Sequence, residues 1–221
     1  MSKVPASLRN KLLATIASLS ILAGGGAYFL VETGHTVDPF THIVQPDVSE
    51  SVDKLSPAVL LAMDIGAHYE SSGRHIGTPY VDTVGKGRPL TVCNGITGKG
   101  VIAGKYYTVD DCKRLEAPRY IQAEYQAYSH LRLWTTYNAL VRASFVDMYF
   151  NLGPRNLELS TMVDRANSGD LQGACMQQLR WVSGTVNGKL TRLNGLVNRR
   201  NTTSELCAEW GRYGHFSVSA K

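Results

Sequence analysis

Residues 12–31, LLATIASLSILAGGGAYFLV, form an uncharged run of 20 residues. No other feature restricts the fold of this chain so strongly. A helix of that length rises about 30 Å, the thickness of a bilayer's hydrocarbon core. The run is only weakly apolar, because alanine, serine, threonine and the triplet Gly24, Gly25 and Gly26 dilute its leucines and isoleucines. Three readings compete for it. A cleaved signal peptide fits the small residues, but its apolar part runs longer than the usual core of about 7–15 residues. A buried helix of a globular domain has against it that no polar face alternates with the apolar one. An uncleaved membrane anchor is the reading we prefer. Lys3, Arg9 and Lys11 precede the run with no acid among residues 1–31. The positive-inside rule keeps that end cytoplasmic and sends everything after Glu32 across the membrane.

The charge balance agrees with an anchor rather than with a nucleic-acid partner. The formal charge of +5 falls to +2 beyond residue 31, where 20 basic residues meet 18 acidic ones. Neither zinc-finger spacing, nor a basic helix, nor a Gly-rich phosphate loop follows, so nucleic acid is excluded as a partner. Cys93, Cys112, Cys175 and Cys207 all lie on the exported side and lack C-x-x-C spacing. An even count in an oxidising compartment suits two disulfides. Of the three connectivities, pairing nearest neighbours in sequence is preferred, Cys93 with Cys112 and Cys175 with Cys207. Buried free thiols are the alternative.

Residues 33–55 are polar, broken by Pro39 and Pro46, and read as a linker. Ser56 then offers an N-cap and Pro57 a first helical residue, before apolar positions Val59, Leu60, Met63 and Ala67. This predicts a helix ending near Glu70. The Gly- and Pro-rich segment 72–100 contains the β-prone pieces PYVDTV and PLTVCNGITG, read as two or three short strands. Beyond Thr108 helices are expected over about 108–131, 136–151, 159–167, 169–180 and 195–210, with Pro118 a kink or break. One helix, a small sheet and then many helices make an α+β layout. The expected units are an anchor (1–31), a linker (32–55), a globular domain (56–215) and a tail (216–221).

Glu70 is the only glutamate between Glu50 and Glu116, and it falls where a helix gives way to a loop. Helix packing there can desolvate a carboxyl and favour its protonated form, as a general acid needs. Asp82 follows on an expected strand, where hydrogen bonds favour the ionised form. Two carboxyls in unlike environments are the arrangement used for glycoside hydrolysis. The bland reading, two solvated surface acids, fits the pair taken by itself.

The motifs around the pair change that weighting. HYES, PYVDTVG, LTVCNGITGKG, FNLGPRNLELSTM, NSGDLQGACMQQLRW and GLVNRR with ELCAEWG follow one another in order from about Leu60 to Gly211. In that order they resemble the phage-type lysozymes, glycoside hydrolase family 24. They are most similar to endolysins of phages of Gram-negative bacteria that carry a signal-arrest-release anchor. The resemblance implies a lysozyme-like α+β fold, a small antiparallel sheet and a mainly helical lobe, preceded here by an N-terminal transmembrane helix. It implies cleavage of the β-1,4 bond between N-acetylmuramic acid and N-acetylglucosamine, and lysis of the host. The catalytic acid corresponds to Glu70, the second carboxylate to Asp82 and a water-holding threonine to Thr91. Eleven residues separate Glu70 from Asp82 and eight separate Asp82 from Thr91, each gap three longer than the family's usual eight and five. The extra residues are assigned to loops around SGRHIGT and KGRP.

The same resemblance places Asn151 and Gly153 on a turn that lines the cleft, although Gly153 also suits a helix C-cap. Of Arg199 and Arg200, one is expected to pack structurally and the other to face solvent. His68 and His75 read as surface polar groups, and Trp134, Trp181 and Trp210 as core aromatics rather than sugar platforms. No metal or cofactor is expected, and peptidoglycan is the expected partner of a monomer. The inner membrane would be engaged through residues 12–31 until depolarisation releases the protein to the periplasm. Two other classes remain: an anchored peptidoglycan-binding protein without catalysis, which has no need of an acid at position 70, and a holin, which has no need of so large an exported domain.

Overall fold

A computed structural model of the protein describes residues 2–22, 55–82, 87–98, 100–186 and 188–210. Helix α2 (Pro57–Ser71) begins as its sequence demands: the Ser56 hydroxyl accepts from the Val59 N–H at 3.1 Å, with Pro57 in the first turn. It stops because Ser72 turns left-handed (φ 56°) and, with Gly73, donates its N–H back to Ala67. Glu70 is thereby held in the last turn.

Strands β1 (Tyr80–Val81), β2 (Leu90–Val92) and β3 (Ile96–Thr97) form an antiparallel sheet in the order β1-β2-β3. Beneath it Val92, Cys93, Ile96, Tyr107 and Cys112 make a small separate core. The disulfide Cys93–Cys112 pins that sheet to helix α3 (Val109–His130). Thr108 and Asp111 close a reciprocal capping box at the start of α3. The helix runs unbroken through Pro118, so of the expected kink or break the break does not occur.

Helix α4 (Ala139–Leu152) is capped by the Asn138 side chain and buried from Ala139 to Tyr149. A helix buried over so much of its length sits at the centre of its lobe, and α2 and α3 pack on it. The helices α5 (Pro154–Leu157), α6 (Thr161–Asn167) and α7 (Leu171–Gln177) follow. A hairpin, β4 (Ser183–Val186) with β5 (Lys189–Arg192), comes before α8 (Asn194–Glu205). The second disulfide, Cys175–Cys207, joins α7 to the π-helical turn that continues α8.

Helix α1 (Ala6–Leu22) lies against the domain and packs on α2. Val4, Leu8 and Leu12 recur every four residues and are buried in the main core. Full burial of a leucine stabilises by about 1.5–3 kcal/mol. The Lys11 ammonium lies 3.0 Å from Asp64 of α2, and the Thr15 hydroxyl donates to the same carboxylate at 2.6 Å. The Thr202 hydroxyl donates to the Lys3 carbonyl, tying the same end to α8. Among the described residues no helix is long and apolar enough to cross a membrane. Of the expected span, residues 23–31 lie outside the described residues, as does nearly all of the linker.

Candidate active site

Glu70 reaches the surface with its side chain 37 % exposed, and Arg199 of α8 donates from Nη1 to its Oε1 at 2.6 Å. The rest of that guanidinium faces inward. Its Nε lies 3.0 and 3.2 Å from the two oxygens of Asp147, and its Nη2 donates to Asp147 at 2.7 Å. Asp147 is fully buried on α4 and also accepts from Arg200 Nη1 at 3.3 Å. Arg200 donates further to the Trp181 carbonyl at 3.2 Å and to the Asn151 side-chain oxygen. Burial alone would disfavour a charged Arg199. The Asp147 charge and hydrogen bonds, joined by those of Glu70, outweigh it and hold Arg199 above its ordinary value. Burial wins at Arg200 and lowers it, with Asp147 opposing. The expectation that one arginine faces solvent is therefore corrected: both are buried, because Asp147 takes both. Arg199 also lies over the Tyr69 ring, 5.8 Å from its centroid.

The other two expected residues sit together on the sheet. The backbone N–H of Asp82 donates to the Pro89 carbonyl at 3.0 Å, and the Thr91 hydroxyl donates to the same carbonyl at 3.1 Å. The β1–β2 register pairs Tyr80 with Thr91, which places Asp82 just past the end of β1 and Thr91 on the adjacent strand. The longer loop 71–81 is tied down by backbone bonds from Cys93 N–H to Ile76 and from Tyr107 N–H to Gly77, each 2.8 Å. His75 adds a contact from Nε2 to the Tyr107 carbonyl at 2.9 Å. Of the other longer loop, residues 83–86 lie outside the described residues.

Gly153 ends α4 at φ 76°, and its N–H donates to Tyr149. A Cβ there would meet no atom within 4 Å, so the requirement for glycine is one of backbone conformation. Trp134 is buried beneath the Arg142 guanidinium, and Trp181 and Trp210 pack against the main core. Cys93, Cys112 and Glu116 have metal-ligand proximity, but the sulfurs form a disulfide and Glu116 accepts from the Asn94 N–H and Nδ2.

Sequence reasoning passed over Asp147, although an acid within ALVRASFVDMYFNL was a signal. Asp147 and Asn151 stand four residues apart on one face of α4, the face that receives the two arginines. Tyr120 was passed over as well. It is 1 % exposed, stacks on Phe150 with centroids 4.1 Å apart, and its hydroxyl would lie 1.8 Å from a Cβ on Gly66. Among the described residues that hydroxyl finds no hydrogen-bond partner. Gly66→Ala is therefore expected to destabilise the domain by about 1–3 kcal/mol. Tyr120→Phe should leave stability unchanged or raise it by up to about 1 kcal/mol, since it removes an unsatisfied group. Urea denaturation measures both, and a loss with Tyr120→Phe would mean that the hydroxyl is satisfied.

A helical lobe on a central buried helix, a three-stranded sheet beside it and a carboxyl at a helix end between them define a lysozyme-like architecture. The endolysin from Escherichia coli O157:H7 phage FAHEc1 shares that fold at TM-score 0.58 and 21 % identity, over 67 % of this chain and 91 % of that one. The family model described as phage lysozyme matches residues 73–203. The SAR-endolysin of Bacteriophage PS119 is 38 % identical over 137 residues, 61 % of this chain and 74 % of that protein. The SAR-endolysin of Enterobacteria phage P21 is 34 % identical over 134 residues, 61 % of this chain and 75 % of that protein. The chain belongs to the phage lysozyme family. The matched segment takes in Asp82, Thr91, Asp147 and both arginines, and begins three residues after Glu70.

Proposed function

We propose that Glu70, Asp82 and Thr91 carry the reaction of this endolysin, a glycoside hydrolase that cuts peptidoglycan between N-acetylmuramic acid and N-acetylglucosamine and lyses the host cell. Protonated Glu70 donates to the glycosidic oxygen, and N-acetylglucosamine leaves with its hydroxyl restored. Asp82, ionised, stabilises the positive charge growing at the sugar carbon and takes the proton of the attacking water. Thr91 holds that water by its hydroxyl. Water attacking from the opposite face inverts the sugar carbon and needs carboxyls roughly 6.5–9.5 Å apart. The observation that carries this reading is the half-open Glu70 carboxyl, anchored at 2.6 Å by a buried arginine. Asn151 and Gly153 are assigned to the glycan cleft, Asn151 with its side-chain oxygen already committed to Arg200. Digestion of purified sacculi by the full chain tests the reading. Soluble fragments ending in reducing N-acetylmuramic acid are expected. Reducing N-acetylglucosamine ends would change the bond assigned, and co-sedimentation with intact sacculi would favour a binding protein.

The N-terminal segment adds a timing device to this reading. Residues 12–31 hold the protein in the host inner membrane as a single pass, with the catalytic domain facing the periplasm. Leu12 cannot lie in lipid and in the domain core at once, so α1 seated on α2 is the released form. The names of the two relatives support the same sequence of events. Little transfer free energy retains a span diluted by glycine and alanine. Replacing Gly24, Gly25 and Gly26 by leucine is expected to keep the protein in the membrane fraction after depolarisation. Unchanged release, followed by fractionation and immunoblot, would contradict the device.

A further inference from the structure

Three consecutive residues that follow β2, the strand carrying Thr91, are each fastened to α3. Cys93 is joined to Cys112 by the disulfide. Asn94 donates twice to Glu116, from its N–H to Oε1 and from Nδ2 to Oε2, each at 3.0 Å. The Gly95 carbonyl accepts from Arg119 Nη1 at 3.3 Å. Cys112, Glu116 and Arg119 are spaced four and three residues apart, so one face of the helix makes all three ties. The turn so held is strained: Cys93, a residue with a side chain, sits at φ 56°, and Gly95 follows at φ 79°. A left-handed residue other than glycine is costly and persists where its surroundings over-determine it.

We propose that Glu116 is a positioning residue for the reaction, which with Asn94 fixes the β2–β3 turn on α3 and so sets where Thr91 and Asp82 stand relative to Glu70. The proposal rests on the roles given above to those three residues. Thr91 lies three residues before Asn94, and its hydroxyl shares the Pro89 carbonyl with the Asp82 N–H, so a shift of the turn moves both groups. Beyond the ties, α3 packs on α4, whose Asp147 holds Arg199 and through it Glu70. One helix thus carries the sheet on its first turns and rests on the acid's support with its later ones.

The chemistry of the tie is specific to a carboxyl. Glu116 is buried, and each of its oxygens faces one donor of Asn94. A glutamine there keeps the shape but offers one accepting oxygen and one NH2, so one of the two Asn94 donors would meet another donor. The turn would have to move to relieve it. A misplacement of about 1 Å at a reacting group, caused by a change far from the chemistry, costs about a hundredfold in rate.

The test is steady-state kinetics of the full chain and its variants on soluble peptidoglycan chains, at a temperature where circular dichroism shows each variant folded. Glu116→Gln should lower kcat by about ten- to a hundredfold and leave KM nearly unchanged, because no glycan contact is removed. Thr91→Val removes one of the groups that Glu116 positions, so Glu116→Gln should cost clearly less in that background than in the wild type. If Glu116→Gln does not fold, Asn94→Ala, which leaves the N–H bond to Glu116 in place, carries the same comparison. A lower melting temperature with unchanged kcat would mean a purely structural role and overturn the proposal. Losses that multiply in full in the double variant would overturn it too. Thr91→Val separates the two levels. Full activity of that variant overturns the reading of Thr91 and the proposal together, and unchanged kcat for Glu116→Gln beside a slow Thr91→Val overturns the proposal alone.

Discussion

Glu70→Gln is expected to lower the rate of peptidoglycan cleavage by about a thousandfold with little change in fold. Glutamine keeps the shape and can still accept the 2.6 Å hydrogen bond from Arg199, but it has no proton to give to a leaving sugar. Removing a general acid costs about 10²–10⁴ in rate. Stability should change little, because the Glu70 side chain is 37 % exposed and its ion pair is partly screened by water. Turbidity loss of permeabilised Gram-negative cells and thermal unfolding measure the two effects together. Equal lysis by variant and wild type would remove Glu70 from the chemistry, and a collapsed melting curve would make its role structural.

Arg199→Met is expected to do the reverse, with its largest effect on stability. The Arg199 side chain is 4 % exposed and supplies three of the four hydrogen-bond contacts made to the Asp147 carboxylate. Without it, a fully buried carboxylate keeps, among the described residues, only Arg200 at 3.3 Å. Breaking such a pair costs about 3–5 kcal/mol. In a domain of this size that lowers the melting temperature by roughly 10 °C. Arg199→Lys should recover only part of the loss, since a point-like ammonium cannot bridge two carboxylates as a planar fork does. A fall of less than about 1 kcal/mol for Arg199→Met would show that the cluster is not what holds α8 to α4.

What the sequence disclosed and what it hid follow from the range of the interactions. Helix starts at Ser56 and Thr108 were legible because a cap is made by residues three apart. Pro118 does not break α3, because a missing N–H within a long, packed helix is tolerated when its neighbours hold the turn. The β4–β5 hairpin has a local signal in Asn187-Gly188, within a stretch where no helix is expected. The expected helix over 159–167 is α6, which the Ser160 cap starts at Thr161, and the four-residue α5 before it lies outside every expected helix. Asp147 and Arg199 are 52 residues apart and Glu70 and Arg199 are 129 apart, so no local pattern could pair them. The first 22 residues show a different limit. The spacing of Val4, Leu8 and Leu12 suits a helix packed on a domain, and the uncharged run beyond suits a bilayer. A segment whose pattern suits two environments reads ambiguously because both readings are physically sound.

Cleavage at Glu70 requires a bound glycan to meet that carboxyl. A crystal structure of Glu70→Gln soaked with a peptidoglycan tetrasaccharide measures this directly. The side chain at position 70 should lie about 3 Å from the glycosidic oxygen of a bond following N-acetylmuramic acid. Asp82 and Thr91 should stand on the other side of the sugar, with a water between them. A glycan seated elsewhere, with its glycosidic oxygens beyond reach of position 70, would contradict the account.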